Sequence, residues 1–257
     1  MIHTMKLREE YFNYIKLGTK KYEIRLNDEK RQKIKIGDLI EFQKAPLLDE
    51  KFIVQVEDIL YFNDFSELFN EIKIEYLADK KVKKEELEQE LNKFYSKEEQ
   101  EKLGVVAFKL KKDNIINIVN LNNISKNEEI YKSIKKNYIN FDNWYLKRQA
   151  NNDYAYITEK NNEISSIMIL KLNETDSEEF FEKGNILKIR TLVVNDKNKG
   201  IGSLYLQLVD KIAKANNIKY VYLTIKESNN ELIKFIEKKS YIKYSNINDE
   251  VVYYKII

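Results

Sequence analysis

The stretch ILKIRTLVVNDKNKGIGSLYLQ, residues 186–207, decides the fold predicted for the second half of the chain. It reads as an apolar strand over residues 186–194, a polar turn that contains Gly200 and Gly202, and the start of a helix. Glycines lack a Cβ and let backbone N–H groups converge on an anion, and a helix that begins at the turn adds its positive end. Two interpretations are open on this stretch alone: a phosphate-binding loop and an ordinary strand-to-helix turn.

The elements around this stretch form a regular series. Apolar residues at helical spacing predict a helix over about residues 202–216 whose apolar face packs on a sheet. The other predicted elements are strands over residues 115–121, 220–225, 241–244 and 251–256, a hairpin of residues 154–158 and 164–172, one or two helices within residues 128–144, and a helix over residues 230–239.

This order, with the segment Lys197-Asn198-Lys199-Gly200-Ile201-Gly202 and the later segment from Asn229 to Tyr241, resembles the GNAT acetyltransferase superfamily over roughly residues 114–257. The pyrophosphate loop of that family reads Gln/Arg-x-x-Gly-x-Gly/Ala, so both glycines match, and Lys197 stands where Gln or Arg is usual. The patterns Gly-x-x-x-x-Gly-Lys-Ser/Thr and Gly-x-Gly-x-x-Gly are both missing from the sequence. The resemblance implies that acetyl-CoA is the cofactor and that its binding residues are Leu192, Val193, Val194, Lys197, Asn198, Lys199, Gly200, Ile201, Gly202, Ser203 and Asn229.

The resemblance also implies direct transfer of an acetyl group to an amine. A backbone N–H within residues 192–194, assigned to Val194, would stabilise the charge that develops on the thioester oxygen. Asn229 matches the asparagine with which the last helix of the family begins, but Ile236 aligns with a tyrosine that often serves as general acid. The acid is therefore dispensable or comes from another side chain. The candidates are Tyr205, Ser240 and Tyr241, and Tyr241 is taken as the catalytic one.

The first half predicts a small sheet with helices. Helical spacing predicts a helix over residues 5–15 that ends before Gly18. The next strand, residues 22–26, is expected to bury Tyr22, Ile24 and Leu26 on one face and to display Lys21, Glu23 and Arg25 on the other. Residues 34–42 predict a turn at Gly37-Asp38 that leads into a strand. Further strands are predicted over residues 52–61 and 105–110, and helices over residues 65–69 and 85–95, which together indicate a small β-barrel or a strongly bent sheet.

The segment Gly18-Thr19-Lys20-Lys21-Tyr22-Glu23-Ile24-Arg25, with the later turn Lys35-Ile36-Gly37-Asp38, resembles the ASCH family, a PUA-like barrel associated with RNA, over roughly residues 5–112. The resemblance implies a cleft in which Lys20, Lys21, Glu23 and Arg25 meet RNA or a nucleotide. Some members remove the acetyl group from an acetylated cytidine, and Glu23 occupies the position of their threonine nucleophile, which argues against hydrolysis.

The residues themselves support a local basic patch. Residues 16–35 hold eight basic and three acidic side chains. Together with nearby tyrosines, such a patch can hold phosphates and stack a base. The alternative is a solvated surface of a lysine-rich protein.

Composition limits the remaining possibilities. The chain has 257 residues, a net charge of +3, no cysteine and a single histidine, His3, which we expect to be a disordered terminal residue. This excludes disulfides and thiolate catalysis, makes a Ser-His-Asp triad improbable, and predicts no metal site. No apolar run approaches the roughly 20 residues that a bilayer requires, so we expect a cytoplasmic protein that does not enter the membrane.

The sequence thus predicts an α+β protein of two domains. Residues 1–112 form a PUA-like barrel, and residues 113–257 form a mixed α/β domain with a central, mostly antiparallel sheet. The predicted function is an acetyl-CoA-dependent N-acetyltransferase that holds RNA or a nucleotide on its first domain, with an unidentified amine acceptor. The alternatives are a regulatory protein that binds acyl-CoA and RNA with weak or no catalysis, and an acetylcytidine amidohydrolase.

Overall fold

The computed structural model describes residues 1–78, 81–174, 180, 184–195 and 199–257. The chain divides into two compact units, Met1–Asn117 and Ile118–Ile257. None of the helices in these described ranges is long and apolar enough to cross a membrane.

The first unit consists of a bent sheet with helices. Its elements are β1 (Ile2–Arg8), α1 (Glu9–Lys16), β2 (Tyr22–Leu26), β3 (Leu39–Ala45), β4 (Lys51–Phe62), α2 (Phe65–Glu71), α3 (Lys84–Phe94), α4 (Lys97–Leu103) and β5 (Val105–Leu110), with 3₁₀ turns at Ile74–Tyr76 and Lys112–Asn114. A further strand, β6 (Ile116–Asn120), spans the division between the units.

The pairing of these strands gives a mixed sheet. β1 pairs with β3 in parallel, and the β3–β4, β4–β5 and β5–β2 pairs are antiparallel. The long strand β4 pairs with β3 through residues 51–55 and with β5 through residues 56–62, with a bulge between Val56 and Asp58. The bulge lies where β4 changes partner, and the sheet bends there because a bulge increases local twist. The predicted closure into a barrel is not shown by the pairings of the described residues.

Two expectations for the beginning of the chain were wrong. Residues 5–8 belong to a strand, and α1 begins only at Glu9. Met5 and Leu7 are buried at alternate positions of β1, a two-residue period that the helical spacing of Leu7, Tyr11 and Ile15 obscured. His3 is not a disordered terminal residue, since it lies in β1 opposite Ile40 and its Nε2 is 2.9 Å from Asp38 Oδ2.

The second unit is a mixed sheet with helices. After two 3₁₀ turns (Leu121–Asn123 and Glu129–Tyr131) its elements are α5 (Lys132–Asn137), α6 (Phe141–Ala150), β7 (Tyr154–Lys160), β8 (Glu163–Leu172), β9 (Ile186–Val194), α7 (Ile201–Ala215), β10 (Tyr220–Lys226), α8 (Asn230–Glu237), β11 (Ile242–Ile247) and β12 (Glu250–Ile256). The strand order is β7-β8-β9-β10-β12-β11. The predicted hairpin and the predicted helix after the glycine pair are confirmed.

The direction of the strands in the second unit decides where a ligand can enter. Four of its pairs, β7–β8, β8–β9, β10–β12 and β11–β12, are antiparallel, and β9–β10 is parallel. The crossover between the two parallel strands is α7, which packs an apolar stripe that includes Leu204 and Leu208. Because β9 and β10 are parallel, their carboxyl ends lie on the same side of the sheet, and α7 begins at that side.

Candidate functional site

The two parallel strands separate towards their carboxyl ends. β10 pairs with β9 over Ile186–Lys188 and Tyr220–Tyr222, and that ladder ends at Lys188. β9 continues to Val194, and over these later residues its described ladder is with β8. The carboxyl half of β9 therefore has one edge paired with β8 and one edge that faces a gap.

The register determines which N–H groups face the gap. Val194 lies opposite Ser166, and the N–H of the next residue, Asn195, donates to the carbonyl of Ser165 at 3.0 Å. Successive N–H groups of a strand point to opposite edges. The N–H groups of Leu192 and Val194 therefore point into the gap, whereas that of Val193 points to β8.

The gap leads to the glycine turn and the N-terminus of α7. Gly200 is the residue before α7 and adopts φ +78°, a left-handed conformation that side chains other than glycine's rarely adopt. A Cβ placed on Gly200 would meet no atom of the described residues within 4 Å. No side chain of the described residues caps α7, and the N–H groups of Ile201, Gly202 and Ser203 have no acceptor within the helix, an arrangement suited to an anion.

The other residues predicted for the loop differ in their surroundings and in whether the structure describes them. Gly202 is required for packing, because a Cβ at this position would lie 3.1 Å from Cζ of Phe235 in α8. Lys199 is exposed beside the turn. Lys197 and Asn198, which were predicted to bind the cofactor, lie outside the described residues.

The asparagine at the start of the last helix has a structural contact. The side-chain oxygen of Asn229 accepts a hydrogen bond from the N–H of Leu232 at 3.2 Å and so caps α8. Ile236, at the position of the usual tyrosine, is fully buried. Asn229 is thus the N-cap of α8. Ile236 is an apolar core side chain and cannot serve as a general acid.

The candidate acids differ in their surroundings. The hydroxyl of Tyr205 is held by Ser166 Oγ at 2.8 Å and the carbonyl of Tyr156 at 3.0 Å. The hydroxyl of Tyr241 is buried and has no hydrogen-bond partner among the described residues. Burial, reinforced by the nearby Asp210 carboxylate, raises the pKa of Tyr241, so this hydroxyl keeps its proton at neutral pH.

One feature of β9 was missed by the sequence analysis. The register between β8 and β9 shifts at Arg190, which forms a bulge, and its guanidinium lies 2.9 Å from Glu174 and 3.4 Å from Asp153. An arginine inside an otherwise apolar strand was the available signal, because a charged side chain in a buried strand needs partners. The bulge itself has no sequence signature here.

The signature residues of the first unit form a buried ion cluster. Lys20 Nζ donates to the carbonyl of Leu77 at 2.8 Å and lies 3.5 Å from Glu23, and Arg25 Nε donates to Glu23 at 2.7 Å. Lys20 and Glu23 are 4% and 3% exposed, so the prediction that this strand displays Glu23 to solvent was wrong. Glu23 lies opposite Phe108 in the β2–β5 pair, on the face of the sheet on which Phe12 and Ile15 of α1 pack, and its carboxylate is stabilised there by two cations.

The cations of this cluster differ in how much of their charged group remains accessible. Burial, partly opposed by Glu23, lowers the pKa of Lys20. One terminal nitrogen of Arg25 also donates to the carbonyl of Lys6 at 3.0 Å, and its side chain is 20% exposed. Lys21 Nζ lies 3.6 Å from the centre of the Tyr76 ring. Arg25 and Lys21 are therefore the members of the predicted set that remain partly available to an anionic group.

Two family models match the chain. The ASCH domain matches residues 5–113, and the acetyltransferase (GNAT) family matches residues 118–241. The comparison with curated proteins finds no match.

Solved structures are similar to parts of the chain. A protein of Pyrococcus furiosus solved by NMR is 37% identical, over 43% of this chain and 96% of that one, with a TM-score of 0.36. The PaiA N-acetyltransferase of Thermoplasma acidophilum, in complex with coenzyme A, is 16% identical over 50% of this chain and 84% of that one, with a TM-score of 0.37. The ribosomal-protein-alanine N-acetyltransferase of Brucella melitensis is 13% identical over 55% and 99% of the two chains, with a TM-score of 0.41.

The matches of the two family models follow one another without overlap and divide near the boundary between the two compact units. The chain therefore contains an ASCH domain over residues 5–113 followed by a domain of the GNAT acetyltransferase family over residues 118–241.

Proposed function

We propose that the second unit transfers an acetyl group from acetyl-CoA to an amine. The observation that carries this proposal is the gap beside β9, into which the N–H groups of Leu192 and Val194 point and which leads to Gly200. The pantetheine arm of coenzyme A is extended and carries two amide groups, so it can lie along such an edge as a strand would. Its pyrophosphate would then lie at the free N–H groups that begin α7.

The space above Gly200 supports this assignment. A Cβ there would meet no atom of the residues that the structure describes within 4 Å, which leaves room for a ligand, and the left-handed backbone before the helix favours glycine. Lys197 and Lys199 would add positive charge beside the diphosphate. Ile201, Gly202 and Ser203 would contribute backbone N–H groups and not side chains.

The chemistry at this edge follows from the positions of the donors. Acetyl-CoA supplies an activated acyl group, and the acceptor nitrogen forms the new C–N bond as the C–S bond breaks. The N–H of Val194 would stabilise the negative charge that develops on the carbonyl oxygen, an effect of about 3 kcal/mol for one such donor in other enzymes. The amine would lose a proton to water as the C–N bond forms, and Tyr241 would donate a proton to the departing sulfur, so that a free thiol is released. Asn229 would hold the start of α8 beside the cofactor.

For the first unit we propose RNA or a nucleotide as the ligand. Arg25 and Lys21 keep part of their charged groups accessible, and the centre of the Tyr11 ring lies 5.3 Å from Lys20 Nζ. Hydrolysis of an acetylated cytidine is disfavoured, because Glu23 holds two cations and offers no hydroxyl nucleophile. Charge reversal of Lys21 and Arg25 is expected to weaken binding of a short RNA, and unchanged affinity would refute this assignment.

The alternative of a binding protein without turnover rests on one observation, the buried Ile236 at the position of the usual acid. Calorimetric titration with acetyl-CoA separates the possibilities. We expect saturable binding to the native chain, loss of binding in the Gly200→Val/Gly202→Val variant, and release of free thiol when an accepted amine is added. Absence of binding to the native chain would refute the acetyltransferase proposal. Tight binding without thiol release across a panel of amines and RNAs would favour the regulatory alternative.

A further inference from the structure

The first unit contains a basic cavity that is separate from the Lys20–Glu23–Arg25 cluster. Its volume is about 220 Å³. It is lined by His3, Thr4 and Met5 of β1 and by Lys30, Arg31, Lys33 and Ile34 of the loop that follows β2. The cavity thus joins an edge of the sheet to the most basic loop of the unit.

The cations of this loop are not neutralised equally. Lys30 and Lys33 are exposed, and neither ammonium group has a hydrogen bond or ion pair with the described residues. Arg31 pairs through Nη1 with Asp28 at 3.0 Å, but its Nε is buried and has no partner among the described residues. A buried N–H of a guanidinium without an acceptor costs about 1–3 kcal/mol. Lys30 and Lys33 are therefore the cations of this loop that remain available to an anion in the cavity.

Two carboxylates that contact residues of the cavity are already occupied. Asp28 accepts from the N–H groups of Lys30 and Arg31 as well as from the guanidinium. Asp38 accepts from His3 Nε2 at 2.9 Å and from the N–H of Lys35 at 3.2 Å. Neither residue lines the cavity. The lining therefore carries three cationic side chains and no carboxylate.

We propose that this cavity binds a phosphate group of a nucleotide or of a polynucleotide. Its volume exceeds that of a phosphate, and the buried Met5 and Ile34 supply an apolar part on which a sugar or base can rest. A guanidinium and two exposed ammonium groups are donors that suit a phosphate. The proposal does not depend on acetyl transfer. It adds a phosphate contact distinct from Lys21 and Arg25, whose charge reversal tests the proposed nucleotide site separately.

The test compares two double variants with the same change of net charge. Lys30→Glu/Lys33→Glu reverses the cavity lysines, and Lys35→Glu/Lys73→Glu reverses two exposed lysines of the same unit that do not line the cavity. The probes, titrated into the full chain, are inorganic phosphate, adenosine monophosphate and a ten-nucleotide RNA. Thermal denaturation checks that each variant remains folded.

We expect at least a tenfold loss of affinity in the cavity variant and less than a threefold loss in the control. For the RNA we also expect a shallower dependence of log K on log salt in the cavity variant, because fewer phosphates are neutralised. A response to the RNA alone assigns a polynucleotide, and a response to adenosine monophosphate assigns a free nucleotide. No binding of any probe to the native chain, or equal losses in both variants, would overturn the proposal.

Discussion

Replacement of Gly200 by alanine separates the role of this residue in folding from its role in binding. Gly200 has φ +78°, and an added Cβ would meet nothing within 4 Å. The cost to the free protein is therefore conformational alone, about 1–2 kcal/mol for an L-residue in the left-handed region. For a unit of this size we expect a decrease in Tm of roughly 3 °C per kcal/mol.

The effect on the ligand has a different origin. The new methyl group would occupy the open space at the start of α7, where the pyrophosphate of acetyl-CoA is proposed to lie. We expect Gly200→Ala to weaken binding of acetyl-CoA at least tenfold, which corresponds to about 1.4 kcal/mol. Calorimetric titration measures this loss, and differential scanning calorimetry measures the change in stability.

Gly184 provides a matched control. It also has φ +78°, and a Cβ there would also meet nothing within 4 Å. Gly184→Ala should therefore lose similar stability and keep its affinity for acetyl-CoA. The reasoning would be refuted if Gly200→Ala bound acetyl-CoA like the native protein, or if Gly184→Ala lost affinity to the same extent.

Three further changes test other parts of the molecule. Glu23→Gln should destabilise the first unit by about 3 kcal/mol in urea denaturation, because it leaves the buried Lys20 and the partly buried Arg25 without their carboxylate. The exposed Glu29→Gln should change little, and an equal effect would contradict the buried cluster. Tyr241→Phe should leave stability unchanged or slightly higher and reduce kcat at saturating acetyl-CoA, and an unchanged kcat would exclude Tyr241 as the acid. Although burial opposes it, hydrogen bonds from the terminal amino group and His3 lower the pKa of Asp38 from 3.8 to about 2. The stability that Asp38 contributes is therefore present above about pH 4 and is lost as the pH falls towards 2. Asp38→Asn should lower Tm at pH 7 by more than at pH 2, and a pH-independent difference would refute this.

Helices and strands were predicted correctly where the apolar side chains of a segment follow a single period. The strand of residues 186–194 and the helix that follows Gly200 were predicted almost to the residue, because apolar side chains in these segments have a single period and the glycines mark their boundary. The beginning of the chain was not, because Met5 and Leu7 fit a two-residue period while Leu7 and Tyr11 fit a helical one. Pairing of β1 with β3, a contact between distant parts of the sequence, decided the outcome.

The glycine loop of the site was predictable from the sequence, whereas the strand edge beside β9 was not. Two glycines before a helix predicted an open N-terminus, which requires local information alone. The separation of β9 from β10 depends on where a ladder ends, and the bulge at Arg190 depends on the register with β8. Neither is encoded in a short motif. The burial of Glu23 likewise depends on the pairing of β2 with the distant strand β5, which places Glu23 on the face that α1 covers.

The surroundings of the two tyrosines bear on which side chain replaces the acid that Ile236 cannot provide. Tyr205 is buried, but its hydroxyl is bonded to Ser166 and to the carbonyl of Tyr156, so its conformation is explained by the fold. Tyr241 is equally buried, and its hydroxyl has no such partner among the described residues. A buried hydroxyl without a partner costs about 1–3 kcal/mol that phenylalanine would avoid. That cost does not by itself place the hydroxyl at a ligand, because its neighbours Asp210 and Lys255 lie towards the amino end of β10, whereas the proposed thioester site is at the carboxyl end of β9. The kcat of Tyr241→Phe therefore decides whether Tyr241 is the acid.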